Sequence, residues 1–120
     1  LVQLLSASVE NKLNKIKIKW GKDKCMTTVL CAKGYPNNVT TENKIDLSRI
    51  KFSKKSFIFH ASTKMKNGLL FSNGGRILNI VVLGSTFIKI RNEIYKIIKT
   101  INWKHGFFRR DIGWRVIKKK

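Results

Sequence analysis

Residues 72–79 have the sequence SNGGRILN, so two adjacent glycines and an arginine stand directly ahead of an apolar run. Bare backbone amides beside a guanidinium group suit an anion, because both donate hydrogen bonds and the guanidinium adds positive charge. Gly74, Gly75 and Arg76 are therefore candidate anion contacts. The alternative is that the glycines only permit a tight hairpin and that Arg76 pairs with an internal acid such as Asp111.

The other reactive side chains are few. Cys25 and Cys31 are six positions apart, so on one strand they face the same side but lie too far apart to bond to each other. We predict that both are buried free thiols in a reducing compartment. His60 and His105 are isolated, and the chain has no C-x-x-C or H-x-x-H pair, which argues against a metal site.

Patterns of apolar residues predict the elements that position these groups. Isoleucines that recur every three or four positions predict a helix over 86–101, with Ser85 offering an N-cap oxygen. The Asn67–Gly68 pair is a strong hairpin signal. We expect the helix to pack on one mainly antiparallel sheet. The strands predicted for this sheet cover 25–32, 57–61, 68–71 and 76–83.

The flanking segments complete the predicted domain. LVQLLSASVENKL, at the start, has the apolar spacing of a helix. Residues 37–56 are polar and predicted to be irregular. The tail from Phe107 to Trp114 is predicted to be extended, with Asp111 fixing it through backbone or arginine hydrogen bonds. Together these elements predict one α+β domain over residues 1–120.

No segment of the sequence indicates a membrane protein. The apolar stretches fall far short of the roughly 20 residues that a membrane span needs, and no leader peptide is visible. We therefore expect a soluble, cytoplasmic protein without a membrane partner.

The chain is strongly basic, with 26 Lys and Arg against 6 Asp and Glu and a net charge of +20. Such a charge fits a polyanionic partner, and with its three Trp and seven Phe a small nucleic-acid-binding module is an alternative. However, the basic residues are scattered rather than gathered on one segment, and a lysine excess also arises from AT-rich codon usage. No RNA-binding signature is present, so the sequence does not favour a nucleic-acid partner.

Four short stretches in fixed order resemble a known family. They are CAKGYP at 31–36, FHAST at 59–63, NGGRIL at 73–78 and FRRDIGWR at 108–115. Together they are similar to the C-terminal domain of phosphoribosylamine–glycine ligase, also called glycinamide ribonucleotide synthetase. Residues 1–14 are similar to the helix that follows this family's ATP-grasp core. The resemblance implies the rudiment single hybrid motif of ATP-grasp ligase C-terminal domains.

The resemblance also implies an activity, that of an ATP-dependent carbon–nitrogen ligase of purine biosynthesis that joins glycine to 5-phosphoribosylamine through an acyl phosphate. ATP and Mg²⁺ or Mn²⁺ are implied for the complete enzyme but none for this piece, because the family's acidic metal-binding stretch and glycine-rich ATP lid are absent from this sequence. The implied partners are the N-terminal and ATP-grasp domains. The expectation is a C-terminal fragment, inactive alone, that closes one side of the active cleft.

The candidate site residues acquire roles from the same resemblance. No catalytic residue is expected in this piece. Arg76, with the amides of Gly74 and Gly75, would contact a substrate phosphate. His60 would orient a substrate hydroxyl or phosphate, and Thr63 is a similar candidate, although a single histidine on a strand also has a purely structural interpretation.

The sequence departs from the family pattern at three positions. Ser62 stands where the family has a second small residue, Asn37 replaces the glycine that usually follows GYP, and Ile90 stands where the family helix commonly has alanine. These changes fit relaxed selection, so a non-functional remnant of a decayed gene is a third interpretation.

Overall fold

The computed structural model describes residues 1–118, which form two antiparallel sheets and three α-helices. A short 3₁₀ helix, Leu13–Lys15, follows the first helix. No helix in this described range is long and apolar enough to cross a membrane. In chain order the elements are α1 (Val2–Val9), β1 (Lys24–Ala32), β2 (Lys44–Ile45), β3 (Ser56–His60), β4 (Thr63–Lys66), β5 (Leu69–Ser72), β6 (Arg76–Gly84), α2 (Phe87–Thr100), β7 (Gly106–Phe107) and α3 (Trp114–Lys118).

The larger sheet has the strand order β3-β6-β1-β7, and all neighbouring strands are antiparallel. Its two longest strands, β1 and β6, lie at the centre, where both neighbours protect their backbone hydrogen bonds. β6 carries the apolar run that follows Arg76 in the sequence. Ile77, Leu78 and Ile80 of this strand are fully buried.

A smaller sheet, with strand order β2-β5-β4, contains the hairpin predicted at Asn67–Gly68. Both turn residues have positive φ, 51° and 71°, as a two-residue type I′ turn requires. The expectation that all four predicted strands share one sheet is wrong, since β5 pairs with β2 and β4. A hairpin signal fixes only the local pair, and here the second partner is a strand of two residues within the segment 37–56, too short to show a periodic pattern.

α2 packs on one side of the larger sheet, here called the inner face. The helix begins one residue later than predicted, because its N-cap is Thr86, whose side chain accepts a hydrogen bond from Lys89 N at 3.3 Å. The N-cap assignment of Ser85 is therefore wrong, since either hydroxyl could cap and the path of the backbone decides between them. Three isoleucines of α2 face the sheet with at most 3% exposure: Ile90, Ile94 and Ile97.

The opposite side of the larger sheet, here called the outer face, carries the two cysteines. Both are free, but Cys25 is exposed and Cys31 is only half-buried, so the prediction that both are buried is wrong. Successive residues of β1 point to opposite faces, and the buried Met26 and Leu30 point to the inner face. Cys25 and Cys31 therefore point to the outer face, which no element within residues 1–118 covers as α2 covers the inner one.

The N-terminal segment adds little to the core. α1 covers Val2–Val9 rather than the first 14 residues, and Ala7 is the one buried residue in it. Leu1, Leu5 and Val9 are 88%, 58% and 86% exposed. The radius of gyration is 17.4 Å, against about 14 Å expected for a compact domain of this length, which agrees with a segment that projects from the domain.

The tail is extended only at β7 and then turns into α3, so the prediction of an extended segment up to Trp114 is wrong. The turn passes through Gly113, whose φ of 79° suits glycine. Asp111 is held by Arg109, with Nε–Oδ1 at 3.0 Å and Nη2–Oδ2 at 2.5 Å. The prediction that an arginine holds this carboxylate is confirmed.

Candidate functional site

Three of the four motif stretches meet at one end of the larger sheet, where β1 and β3 end and β6 begins. Ala32 N donates a hydrogen bond to Gly75 O at 2.8 Å, and Ser62 N donates one to Arg76 O at 3.0 Å. β7, which leads into the fourth stretch, pairs with β1 at the same end. Segments far apart in the chain are thus joined by backbone hydrogen bonds, and we call this region the motif end of the sheet.

The paired glycines are covered closely by two side chains. A Cβ at Gly74 would lie 2.7 Å from Cβ of Ser62, and a Cβ at Gly75 would lie 2.4 Å from Cδ2 of Tyr35. Neither glycine has φ in the left-handed region, so backbone conformation does not require them. The bare backbone is explained by packing, because Ser62 covers Gly74 and Tyr35 covers Gly75.

A β-bulge directs Arg76 to the outer face. Leu30 pairs with Leu78, but the next residue of β1, Cys31, pairs with Arg76, so Ile77 is an extra residue on β6. In an unbroken alternation Arg76 would share the inner face with Leu78. The bulge instead lets Ile77 and Leu78 both be buried and places Arg76 beside Cys31.

The Arg76 side chain is exposed and makes no hydrogen bond or ion pair within residues 1–118. Burial raises the pKa of the Cys31 thiol, and the positive charge of Arg76 offsets part of that rise. The alternative in which Arg76 pairs with Asp111 is wrong, because Asp111 binds Arg109. The guanidinium is therefore available to a ligand.

His60 and Thr63 contact each other at the link between the two sheets. His60 Nδ1 lies 3.0 Å from Thr63 Oγ1, which leaves Nε2 without a partner in the described range. His60 pairs in register with Leu78, so it belongs to the inner side of the sheet, although its edge position leaves it exposed. The structure thus brings Gly74, Gly75 and Arg76 together and places His60 and Thr63 on the other side of the same sheet end.

A groove of about 340 Å³ opens on the outer face next to this sheet end. Its walls are mostly apolar, with one guanidinium, and come from β1, the GYP turn and the chain after β7. Sequence reasoning missed this groove, although its signal was present in every second residue of β1 and in the adjacent Phe107 and Phe108, at and just after the end of β7. Its lining includes Val29, Cys31, Tyr35, Phe107, Arg109 and Ile112.

The carboxylates of the described chain are dispersed. Within residues 1–118 no three His, Cys, Asp or Glu side chains lie together so that they could hold a metal ion. Magnesium and calcium take several oxygen ligands, so these residues do not fit a resident divalent cation. Five carboxylates pair with basic side chains instead: Glu10–Lys12, Asp23–Lys55, Glu42–Lys64, Glu93–Lys96 and Asp111–Arg109.

Comparison with known proteins gives a consistent set of similarities. A family model described as "Phosphoribosylglycinamide synthetase, C domain" matches residues 25–115. Over its whole length the chain is 35% identical to the phosphoribosylamine–glycine ligase of Brucella melitensis biotype 1 and covers 28% of that protein. It is 32% identical to the chloroplastic phosphoribosylamine–glycine ligase of Arabidopsis thaliana and covers 23% of it.

A solved structure supports the same similarity. The crystal structure of phosphoribosylamine–glycine ligase from Thermotoga maritima superposes with a TM-score of 0.71 at 26% identity, covering 91% of this chain and 27% of that one. The chain therefore spans about a quarter of the length of the relatives it matches, and the match includes the α+β fold predicted from the sequence.

Proposed function

The chain belongs to the phosphoribosylglycinamide synthetase C-domain family, and on that premise we propose that it acts as the C-terminal part of an ATP-grasp phosphoribosylamine–glycine ligase. Its partners are then the N-terminal and ATP-grasp domains that make up the rest of such an enzyme. The soluble substrates of this reaction fit a cytoplasmic location. In this role the motif end of the larger sheet closes one side of the active cleft.

The proposed reaction forms a carbon–nitrogen bond in two steps. ATP transfers its γ-phosphoryl group to the glycine carboxylate, which gives an acyl phosphate and ADP. The amine of 5-phosphoribosylamine then attacks the acyl carbon, and phosphate leaves. Phosphoryl transfer needs Mg²⁺ or Mn²⁺ held by oxygen ligands. Because the described carboxylates are dispersed, we assign ATP and the metal to the rest of the enzyme.

Arg76 carries the proposed role of this chain in substrate binding. Its guanidinium would bind the phosphate of 5-phosphoribosylamine, with the amides of Gly74 and Gly75 beside it. His60 and Thr63 are secondary candidates for a substrate hydroxyl or phosphate. Because they lie on the other side of the sheet, they would reach a substrate only beyond the sheet end.

One observation carries this proposal: the bulge on β6 turns an arginine out of the core at the point where the motif stretches meet. Arg76 makes no ion pair in the described chain, so its guanidinium stays open to a ligand at this sheet end. Arg109, at the same sheet end, is instead bound to Asp111. Of these two arginines, Arg76 is therefore the one proposed to bind a substrate phosphate.

The test is steady-state kinetics on a reconstituted enzyme, in which the chain is fused to the part of a bacterial relative outside the matched span. Arg76→Ala should lower kcat/KM for 5-phosphoribosylamine by about 10- to 100-fold, as the loss of a hydrogen bond to a charged group predicts. The KM for ATP should change little. The chain alone should form no ADP when glycine and phosphoribosylamine are supplied.

Arg49→Ala is the matched control, because Arg49 is an exposed arginine on the loop after β2 that lines a groove with Ile97 and Thr100 of α2 rather than the glycine turn. This variant should leave both substrates unaffected. An unchanged KM and turnover for 5-phosphoribosylamine in the Arg76→Ala enzyme would show that the glycine turn has only a structural role.

A further inference from the structure

The outer face of the larger sheet carries an uncovered apolar surface. Phe57 and Phe59 are 43% and 55% exposed, and their rings stack with centroids 6.4 Å apart. The register places Phe57 in one row with Val81 and Thr27 across three strands. Residues that occupy the same row point to the same face, so the phenylalanines begin a surface that crosses the sheet.

This surface continues into the groove at the opposite edge. Thr27 and Val29 point to the outer face and also line the groove, together with Phe107 of β7. The surface therefore extends from the β3 edge to the β7 edge through Val81, with the polar Asn79 in the neighbouring row, and a groove of about 340 Å³ ends it. Contiguous exposed apolar side chains of this kind mark interaction sites in soluble proteins.

The border of the surface carries one arginine that no acid neutralises within residues 1–118: Arg76, which lies opposite Cys31 at the motif end. Arg109 also lines the groove, but Asp111 offsets its charge. The chain as a whole has a net charge of +20. A second copy of the chain would bring the same charge to the same border, which opposes close association. The occupant that fits is an apolar surface with an acidic border.

We propose that the outer face is the docking surface for the polypeptide that the relatives carry beyond the matched span. This inference rests on the proposed function. The chain corresponds to 28% and 27% of two such relatives, so most of the enzyme would be available to cover one face. Docking there also places Arg76, at the border of the same face, against the rest of the enzyme, where a cleft between the two parts would lie.

Hydroxyl-radical footprinting tests this surface. Oxidation of Phe57 and Phe59 is measured in the chain alone and in the fusion with the remainder of a bacterial relative. We expect oxidation in the fusion to be roughly fivefold slower or more, because the centre of a stable interface is fully desolvated. Met65, which is 64% exposed on the smaller sheet, is the matched control and should be oxidised equally in both.

Two outcomes overturn the proposal. One is equal oxidation of Phe57 and Phe59 in the chain and in the folded fusion. The other is protection that already exists in the chain alone and grows with its concentration, which would identify a second copy as the occupant. If the fusion does not fold, the same footprint is taken after mixing the chain with the separately expressed remainder, and an absence of protection there counts equally against the proposal.

A variant gives a second readout. Phe59→Lys should lower the melting temperature of the fusion more than that of the chain alone, whereas Met65→Lys should affect both alike, and equal shifts for Phe59→Lys contradict the docking surface. Ligation activity is scored separately. An active fusion with unprotected phenylalanines refutes the docking surface and leaves the proposed function standing. An inactive fusion with protected phenylalanines supports the docking surface and counts against the proposed function.

Discussion

Replacing Gly75 by alanine tests why the turn before β6 has a bare backbone. Since Gly75 is outside the left-handed region, alanine meets no backbone strain there. Its Cβ would lie 2.4 Å from Cδ2 and 2.8 Å from Cε2 of Tyr35, whereas ordinary carbon contacts are about 3.5–4.0 Å. The Tyr35 ring must therefore move by about 1 Å or more.

The cost is bounded by the contacts that Tyr35 loses when it moves. Tyr35 is 38% exposed, so roughly 130 Å² of it is covered, which corresponds to at most about 3 kcal/mol. Alanine restores about 0.4–1 kcal/mol by restricting the unfolded chain. We expect a net loss of about 2 kcal/mol, or about 8 °C in Tm, from the usual unfolding entropy per residue.

Tyr35→Ala provides the decisive background. When the ring is absent, Gly75→Ala should become neutral or slightly stabilising, because the atoms that it collides with are gone. The free energy of unfolding is measured by urea titration of tryptophan fluorescence for the two single variants and the double variant. Gly21→Ala is the control, since a Cβ at Gly21 meets nothing within 4 Å, and its effect should not depend on residue 35.

Additivity of the two substitutions to within about 0.5 kcal/mol would refute the packing explanation, because residues that collide cannot act independently. The bare backbone at Gly75 would then need another reason. The close approach of an anion would become the stronger one, and the kinetic test of Arg76 would gain weight.

Three further predictions concern single contacts. Thr86→Ala should lower the free energy of unfolding by about 1 kcal/mol, as loss of an N-cap does, and Ser85→Ala should have little effect; equal losses in urea titrations would contradict the assignment. Burial raises the pKa of the Cys31 thiol, so Cys31 should react with a thiol-specific disulfide reagent at about pH 8 more slowly than the exposed Cys25. The two rates are measured separately, on the Cys25→Ser and Cys31→Ser variants. A faster reaction of Cys31 would contradict the structure. The hydrogen bond from Arg109 lowers the pKa of Asp111, so the ionised carboxylate stabilises the fold above its unfolded pKa, and this stabilisation is lost as the pH falls through the folded pKa. Asp111→Asn should therefore flatten the fall of Tm with pH below about pH 4. An unchanged fall of Tm in this variant would contradict the prediction.

The sequence predicted those parts of the fold that local patterns determine. The Asn67–Gly68 hairpin depends on four neighbouring residues, and the isoleucine stripe of α2 on one helical period. The assignment of β5 to the larger sheet failed because sheet membership depends on partners that are distant in sequence. The prediction of Ser85 as the N-cap failed for a related reason. Ser85 and Thr86 have equivalent hydroxyls, and the path of the chain as it leaves the sheet decides which of them caps the helix.

The candidate site shows the same division. The motif stretches identified Gly74, Gly75 and Arg76, and the structure places them together at one turn. The spacing of residues along the sequence could not show that His60 lies on the other side of the sheet, because its side depends on the register of β3 with β6. The same spacing could not show that the Tyr35 side chain covers Gly75, because this contact joins residues 40 positions apart.

The bulge on β6 separates two properties of the strand that usually change together, the direction of the Arg76 side chain and the packing of the core. Arg76 and Val82 are six positions apart, an even number that in a regular strand places both side chains on the same side, yet here they point to opposite sides. Removing Ile77 would make the strand regular and still leave Arg76 opposite Cys31, while emptying a fully buried isoleucine from the core. A chain shortened by that one residue would keep the direction of the guanidinium and lose packing, so the two contributions of this strand end could be measured apart.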